Sequence, residues 1–266
     1  MNIVSVVSYN IWFDPTNLRE RTMSLVDIIE DNKPDVLCFQ EVLEPVNQVL
    51  KEVFKKLGYI NSYPDRVEDR YDCVIFSKYP IVDMSRIPYD NSSMNRGITS
   101  VVIEYPIFFN DNDEDKLISI ENNKIIIATS HFESVFKDQI NATKIEQYNI
   151  AKEYLDIMAK SYKHVIFCCD SNILKSEEKT FLTNDPHWKD AWIETGKDSN
   201  KEYTYDTETN KNLTKRNLGS SYQERIDRII YRGDLIARSF DLITEGNCIL
   251  PPSDHHGIMA KFEILN

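Results

Sequence analysis

The tripeptide Ser253-Asp254-His255 places a carboxylate and an imidazole side by side, shortly before the apolar run Ile258-Met259-Ala260. At the mouth of a strand, such a pair suits a site that binds a divalent metal ion and a phosphate group. A charged imidazole can pair with a non-bridging phosphate oxygen, and the Asp254 carboxylate can bind the metal or the attacking water. The tripeptide alone is also typical of a surface turn, so the rest of the chain decides between the two interpretations.

Matching polar residues end or flank several other apolar runs. They are the amides Asn10 and Asn172, the carboxylates Glu41 and Asp170, and the imidazole His131. Each has an ordinary structural explanation, as a turn residue, a helix cap or a buried imidazole. In layered α/β folds, however, strand ends deliver side chains to one shared crevice. Separate strand ends that all carry acid, amide or imidazole therefore predict a single polar site.

One further acid, Asp227, lies inside the apolar run from Arg225 to Ile230. A carboxylate in a buried strand needs a partner, because an unpaired charge is costly to remove from water. A histidine is a natural partner, and we expect Asp227 to pair with His255.

Metal-assisted hydrolysis of a phosphodiester is the chemistry that these residue types permit. Glu41 is a hard oxygen ligand suited to Mg²⁺, for which Mn²⁺ could substitute. Asp170, held by Asn172, would orient or deprotonate the attacking water. His255, polarised by Asp227, would contact a phosphate oxygen in the transition state.

Several protein classes are excluded by what the sequence lacks. There is no GxxxxGK[ST] phosphate loop and no G-x-S-x-G elbow, which argues against a nucleoside triphosphatase and a serine hydrolase. The formal net charge of −12 argues against long contacts with duplex nucleic acid. No apolar run approaches the roughly 20 residues that span a bilayer, so we expect no membrane association.

The first residues and the cysteines both indicate an intracellular protein, in the nucleus or the cytoplasm. The chain starts without a basic segment, so we expect no signal peptide and no secretion. Its five cysteines include Cys248 and show no zinc-knuckle spacing, which predicts reduced thiols.

β-branched apolar runs predict the strands that must position the polar residues. The predicted strands are Ile3–Ile11, Val36–Phe39, Tyr71–Ser77, Ile98–Tyr105, Ile125–Ser130, His164–Cys169, Arg225–Arg232 and Ile258–Leu265. Helical periodicity predicts helices over Leu18–Glu30, Val46–Leu57 and Asp138–Ala159, the first with Asn17 as its N-cap. The acidic segment 111–115 is expected in a solvated loop, and 181–217 is polar and rich in turns. Without a repeat, linker or composition shift, residues 1–266 are expected to form one catalytic domain.

Five motifs together resemble the ordered motif set of the endonuclease/exonuclease/phosphatase superfamily, from one end of the chain to the other. They are Ser8-Tyr9-Asn10, Phe39-Gln40-Glu41-Val42, Ser130-His131-Phe132-Glu133-Ser134, Cys169-Asp170-Ser171-Asn172 and Ser253-Asp254-His255. The resemblance implies a deoxyribonuclease I-like α/β fold. This fold is a four-layer α/β/β/α sandwich, in which two mixed β-sheets pack face to face and helices flank them.

Within that superfamily, three stretches resemble the tyrosyl-DNA phosphodiesterase type 2 family. They are His131-Phe132-Glu133-Ser134, Tyr203-Thr204-Tyr205-Asp206-Thr207 with Asn210, and Arg225-Ile226-Asp227-Arg228 leading to Pro252-Ser253-Asp254-His255. This resemblance implies a magnesium-dependent DNA repair hydrolase. It would cleave the 5′-phosphotyrosyl bond between DNA and a protein tyrosine, such as that of trapped topoisomerase II, and leave a 5′-phosphate. The implied partner is a DNA 5′ end with a tyrosyl or peptide adduct, single-stranded at the end, bound by a monomeric enzyme.

The resemblance also implies roles for individual residues. Asp170 matches the catalytic acid and Glu41 the magnesium ligand, with Asp254 as a second metal candidate. The remaining catalytic candidates are Asn10, His131, Asn172, Asp227 and His255. Residues expected to line the DNA 5′ end are Tyr71, His131, Ser134, Asn172, Tyr205 and His255.

Three positions depart from the family pattern. Trp12 stands where the family has an acid, with Asp14 nearby, and Leu174 stands where it has an arginine, with Lys175 as a possible replacement. Tyr205 replaces a tryptophan and keeps an aromatic stacking surface. The chain also begins at its first strand, so we expect no ubiquitin-binding region before it.

Two alternative functions remain open from the sequence. The same fold could act on another phosphoester, as an abasic-site endonuclease, a 3′-deadenylase, an inositol-phosphate phosphatase or a sphingomyelinase. The chain could instead be a catalytically silent binding module, although the complete set of acid, amide and imidazole residues argues against this.

Overall fold

The computed structural model describes residues 2–106, 124–134, 141–180, 185–214, 221–244 and 250–265. The expectations for the acidic segment 111–115, for Cys248 and for the helical residues 138–140 lie outside these ranges, as does part of the turn-rich segment 181–217. The four described cysteines, Cys38, Cys73, Cys168 and Cys169, are buried free thiols.

The described chain contains fourteen strands and five α-helices. The strands are β1 (Ile3–Asn10), β2 (Val36–Val42), β3 (Asn61–Tyr63), β4 (Asp72–Ser77), β5 (Ile81–Pro88), β6 (Gly97–Glu104), β7 (Lys124–His131), β8 (His164–Asp170), β9 (Lys189–Asp190), β10 (Tyr205–Asp206), β11 (Gln223–Glu224), β12 (Asp227–Arg232), β13 (Leu235–Ile243) and β14 (Gly257–Ile264). The helices are α1 (Leu18–Asn32), α2 (Glu44–Lys56), α3 (Asn141–Met158) and the single turns α4 (Ala191–Glu194) and α5 (Lys211–Thr214).

Two six-stranded mixed sheets contain most of these strands. The first has the order β13-β14-β1-β2-β4-β3, and the second has the order β5-β6-β7-β8-β12-β9. β1 pairs with β2 in parallel and β7 pairs with β8 in parallel, whereas the other neighbours are antiparallel. Strands β10 and β11 form a separate two-stranded ribbon.

Alternation of side chains along β1 and β7 explains why the sheets form the two inner layers. On β1, Val6 faces the second sheet and packs in one core with Ile127 of β7. Tyr9 faces the other way and packs in a different core with Leu25 of α1. Successive strand residues point to opposite faces, so each sheet buries both of its faces.

Helix α3 covers the outer face of the second sheet, where Leu155 shares a core with Ala128 and Phe167. Each fully buried isoleucine or phenylalanine side chain stabilises this packing by about 2 kcal/mol. The predicted α/β/β/α sandwich with two mixed sheets is confirmed.

The sequence prediction missed two long strands. β13 lies between the two strands predicted to be the last, and a register shift between Ala237 and Ser239 hides its alternation. β5 is an edge strand with mostly polar or exposed residues, so it lacks an apolar run. Asn17 occupies the N-cap position of α1 as predicted, although its backbone is left-handed and its side chain makes no capping hydrogen bond.

Candidate active site

The predicted site residues meet where strands of both sheets end. Asn10 closes β1, His131 closes β7 and Asp170 closes β8, and the parallel register of β7 and β8 pairs His131 directly with Asp170. Asp227 begins β12 opposite Asp170, because these two strands are antiparallel. The loop of His255 leads into β14 beside β1. The predicted convergence of strand ends is therefore present.

Asp170 is the centre of this cluster and is 1% exposed. Its Oδ2 accepts a hydrogen bond from Asn10 Nδ2 at 2.8 Å and lies 3.2 Å from His131 Nε2, and its Oδ1 accepts from the backbone N–H of Asn172 at 3.2 Å. Burial, with the neighbouring charge of Asp227, raises the pKa of Asp170 to about 7, although His255 and Asn10 oppose the shift. A carboxylate with this pKa can accept a proton at neutral pH.

The predicted pair of Asp227 and His255 is present. His255 Nδ1 lies 2.8 Å from Asp227 Oδ2, and His255 Nε2 lies 3.9 Å from Asp170 Oδ2. Burial opposes a charged imidazole, but the carboxylates of Asp227 and Asp170 together raise the pKa of His255 well above its usual range. The structure thus favours an imidazolium beside the Asp170 carboxylate.

His131 is held in the opposite protonation state. Burial, together with the charges of Arg96 and His255, lowers the pKa of His131 well below its usual range. Its Nδ1 contacts the Arg96 guanidinium, which has only donors, so Nδ1 must accept. Nε2 therefore carries the proton of the neutral ring and can donate it to Asp170.

From the sequence, Arg96-Gly97 could either place a guanidinium near a phosphate or form a turn before a strand; in the structure, Arg96 is a site residue. It is 5% exposed, and its guanidinium also lies 4.9 Å from the centre of the Tyr71 ring. The turn that carries it is held by Glu133, whose carboxylate accepts hydrogen bonds from Ser92 and Ser93. In the sequence, only the following Gly97, at which β6 begins, indicates a turn at this position.

Glu41 and Asp254 provide the hard oxygen donors of the site. Glu41 has a φ of 60° and accepts the backbone N–H of Phe13 on its Oε2 at 3.0 Å. Burial raises the pKa of Glu41, the Phe13 bond offsets this in part, and the charge of Asp254 raises it further. Asp254 is buried and the Glu41 side chain is 11% exposed, and each carboxylate disfavours the charge of the other. A divalent cation would relieve this repulsion, so the donor set fits Mg²⁺.

Among the described residues, Asp170, Asp227 and His255 also have ligand atoms within 4.8 Å of one another, close enough to hold a metal ion. In this group His255 Nδ1 is engaged with Asp227, and Asp170 accepts from Asn10. We therefore interpret it as a hydrogen-bonded catalytic network rather than a metal site.

The predicted substrate-binding residues surround this core. The Tyr205 ring meets the His255 ring edge-on with centroids 5.3 Å apart, and Tyr222 packs against Tyr205 at 6.0 Å. Asn172 Nδ2 donates to the Phe132 carbonyl at 3.0 Å, and Ser134 Oγ lies 3.6 Å from the Met94 sulfur. Tyr71 lines a pocket together with Glu41 and His131.

Asp14 and Lys175, which lie near the two family departures, both contact protein groups in the structure. Asp14 Oδ1 accepts the backbone N–H of Thr16 at 2.8 Å, and the Lys175 ammonium pairs with Glu202 at 3.0 Å. Trp12 instead donates its backbone N–H to Asn10 Oδ1 at 2.9 Å, and its ring lies under the Arg21 guanidinium. Trp12 therefore supports the amide of Asn10 but supplies no carboxylate.

Among the described helices, none is long and apolar enough to cross a membrane.

Comparisons with known proteins agree with this geometry. The pattern of the Endonuclease/Exonuclease/phosphatase family matches residues 7–255. Tyrosyl-DNA phosphodiesterase 2 of Bos taurus and that of Homo sapiens are each 28% identical to this chain over 99% of its length. The 5′-tyrosyl-DNA phosphodiesterase of Caenorhabditis briggsae is 27% identical over 97% of it. The chain spans 69% of each of these three relatives.

Two solved structures show the same fold. A truncated Caenorhabditis elegans TDP2 superposes with a TM-score of 0.79 and 24% identity, covering 98% of this chain and 97% of the other. D. rerio TDP2 complexed with single strand DNA product superposes with a TM-score of 0.81 and 22% identity, covering 98% and 99%.

Proposed function

The chain belongs to the endonuclease/exonuclease/phosphatase family and is a phosphodiesterase, and we propose that its substrate is a 5′-phosphotyrosyl bond on DNA. The enzyme would release a protein tyrosine, such as that of trapped topoisomerase II, and leave a 5′-phosphate. Similarity to tyrosyl-DNA phosphodiesterases over nearly the whole chain supports this substrate. The observation that carries the chemistry is the contact of Asp170 with Asn10, His131 and Asn172.

Asp170 acts as the general base in this proposal. Its pKa of about 7 lets it take a proton from water, and the donors Asn10 Nδ2 and His131 Nε2 hold its Oδ2 in place. The attacking water would be bound between this carboxylate and the phosphorus. A base whose pKa lies near the operating pH is the most effective one.

His255 stabilises the charge that develops on the phosphate oxygens. Its imidazolium is maintained by Asp227, which also fixes the ring so that Nε2 faces the site. Preorganised donors of this kind contribute a large part of enzymatic rate enhancement. The amide of Asn172 would add a neutral donor.

Glu41 and Asp254 would hold one Mg²⁺, or Mn²⁺ in its place. When bound, the ion neutralises phosphate charge and stabilises the leaving oxygen. Because an ion that binds only the folded state stabilises it, Mg²⁺ should raise the melting temperature of the wild type. Glu41→Gln should abolish this rise, and an equal rise in the variant would contradict the assignment.

The aromatic side of the site would receive the DNA. Tyr205 offers a face for stacking the terminal base of a single strand, while Ser134, Asn172, His131 and His255 line the 5′ phosphate. Tyr71, expected from the sequence to line the DNA 5′ end, lies in one pocket with Glu41 and His131, and we propose that it contacts the adduct there. A single catalytic domain acting as a monomer inside the cell, in the nucleus or cytoplasm, would suffice for this reaction.

A steady-state comparison of four substrates tests the proposal. They are a 5′-tyrosyl single-stranded oligonucleotide, an abasic duplex, poly(A) and a phosphoinositide, each with Mg²⁺. The 5′-tyrosyl substrate should have the highest kcat/KM and yield a 5′-phosphate. Faster turnover of one of the others would assign the site to a different phosphoester, and turnover of none would indicate a silent module.

A further inference from the structure

Four side chains form a continuous stack beside the site, which we call the cation–aromatic stack: Arg96, Tyr71, Phe13 and Arg70. The rings of Tyr71 and Phe13 are nearly parallel, at 12°, with centroids 4.7 Å apart. Arg96 lies 4.9 Å from the centre of the Tyr71 ring, and Arg70 lies 4.9 Å from the centre of the Phe13 ring. Each aromatic ring thus has a guanidinium on its outer face, an attractive arrangement.

The stack runs from the catalytic core to solvent. At its inner end, Arg96 is buried against His131, and the Phe13 backbone N–H donates to Glu41 at 3.0 Å. At its outer end, Arg70 is exposed. Its acidic neighbours Asp69 and Asp72 pair with Arg86, and within the described part of the chain Arg70 has no carboxylate within 4.0 Å.

The orientation of His131 shows on which side of the site the cation–aromatic stack lies. Its Nε2 faces Asp170 at 3.2 Å, and its Nδ1 faces Glu41 at 3.8 Å, so the two carboxylates lie at opposite edges of one imidazole ring. In an in-line displacement, the attacking and leaving oxygens lie on opposite sides of phosphorus. If Asp170 activates the water, the leaving phenolate departs toward Glu41, where the stack begins.

We propose that Phe13 and Arg70 bind the peptide portion of the leaving group and make the enzyme prefer adducts with an acidic residue next to the tyrosine. The proposal rests on the proposed function. Phe13 offers an apolar face to the peptide next to the tyrosine, and Arg70 offers an exposed cation to a carboxylate. Among the described residues, Arg70 is an exposed cation beside the site with no carboxylate within 4.0 Å, in a chain with a net charge of −12. The DNA strand would lie on the other side, against Tyr205 and His255.

Three 5′-adducts on one oligonucleotide sequence test this preference. The first carries a tyrosyl peptide with aspartate on both sides of the tyrosine, the second the same peptide with serine, and the third p-nitrophenol without a peptide. The wild type should show a higher kcat/KM for the acidic than for the serine peptide. Arg70→Gln should lower kcat/KM about fivefold on the acidic peptide, the upper range for an exposed ion pair, and less than twofold on the other two.

Arg66→Gln is the matched control, because Arg66 is exposed on the same loop and pairs with Glu44 at 4.0 Å. It should preserve the preference for the acidic peptide. Phe13→Leu should lower kcat/KM on both peptide adducts but not on the p-nitrophenyl adduct. Fluorescence anisotropy with EDTA present measures the affinities of the wild type and Arg70→Gln for the three oligonucleotides. These affinities should follow the same pattern as the kcat/KM values.

Each other outcome overturns the inference. An equal loss on all three adducts in Arg70→Gln would mean that Arg70 binds a DNA phosphate. No loss on any of them would mean that it binds neither. Failure of the wild type to cleave any adduct would remove the proposed function and the inference together, which is distinct from cleavage without peptide preference.

Discussion

At the scale of single residues, the buried ionisable groups of the site shift one another's pKa values. These shifts set the pH range in which the site can be active. The pKa of Asp170 is raised to about 7 by burial and by the charge of Asp227, and Asp227 with Asp170 raises the pKa of His255 above its usual range. The active form needs Asp170 ionised and His255 protonated. Activity should therefore rise as the pH passes through the pKa of Asp170 and fall as it passes through that of His255.

Asn10→Ala should move the acidic limb of the pH profile to higher pH. Asn10 Nδ2 donates to the ionised Asp170 at 2.8 Å and lowers its pKa, so removal of the amide raises that pKa. The variant should lose more activity at pH 6 than at pH 8.5. The measurement is log kcat/KM against pH for both proteins. An unshifted limb would show that Asn10 does not act through Asp170.

Asp227→Asn should move the alkaline limb to lower pH. The Asp227 carboxylate favours the charged form of His255, and without it the imidazolium loses its proton at a lower pH. Histidine titration by NMR should show a lower pKa for His255 in the variant. Retention of the wild-type pKa would contradict the assigned pair, whatever happens to the rate.

Most catalytic candidates could be predicted because each ends or flanks an apolar run, and strand ends are visible in sequence. The pair of Asp227 and His255 could be predicted because an acid in a buried strand requires a partner. Arg96 could not be assigned, because its place depends on a turn held by Glu133 from another element. No local pattern encodes that contact.

At the scale of elements, one buried ammonium on α3 holds the loop that follows β8. Lys144 Nζ donates to the backbone carbonyl of Asn172 at 2.7 Å and pairs with Glu177 at 2.7 Å. Glu177 in turn accepts the backbone N–H of Leu174 at 2.8 Å. Asn172 has a left-handed backbone with φ of 50°, which needs external support. Lys144 is therefore a positioning residue for Asn172. Because the backbone N–H of Asn172 donates to Asp170, Lys144 also acts on the position of Asp170.

Lys144→Met should lower the free energy of unfolding by about 3 kcal/mol, since the Glu177 carboxylate, only 10% exposed, loses the Lys144 ammonium. It should also lower kcat more than it changes KM, because Asn172 loses its support. Denaturant unfolding and steady-state kinetics provide the two measurements.

Lys152→Met is the control on the same helix, because Lys152 pairs with Asp156 and Asp185 at a more exposed position. Its cost should stay below about 1 kcal/mol with unchanged kcat. The double variant Lys144→Met/Glu177→Gln should recover part of the lost stability. Equal effects of Lys144→Met and Lys152→Met would contradict the positioning role.

A strand or helix could be predicted from the sequence where its apolar residues form a clear pattern. Strands such as β7 and β8, buried on both faces, have continuous apolar runs and were predicted within one or two residues. The bulge in β13 interrupts its alternation, and β5 exposes much of one side, so neither presents a clear pattern. Pairing between elements, rather than local sequence, determines these strands.

At the scale of the whole molecule, two sheets packed face to face bring strand ends from both halves of the chain to one crevice. The fold could be inferred from the ordered motifs, because their spacing along the chain resembles that of a known superfamily. Composition alone indicates only an ordinary globular protein. The net charge of −12 is a further constraint, because it argues against contacts with many phosphates of a nucleic acid.

The salt dependence of catalysis should therefore be weak. A protein that binds two or three phosphates of a single strand releases few counterions, so log kcat/KM should fall with log salt concentration with a slope of about −2 or shallower. Measurements between 50 and 300 mM salt at constant Mg²⁺ would provide the slope. A slope of about −5 or steeper would indicate a long basic contact that the composition argues against.

The most direct test of the account is the release of tyrosine from a 5′-tyrosyl single-stranded oligonucleotide with Mg²⁺, measured for the wild type and for Asp170→Asn. Asp241→Asn, at an exposed ion pair with Lys201, is the control. We predict release and a 5′-phosphate product for the wild type and the control, and a rate at least about a hundredfold lower for Asp170→Asn. No release by the wild type, or undiminished release by Asp170→Asn, would contradict the account.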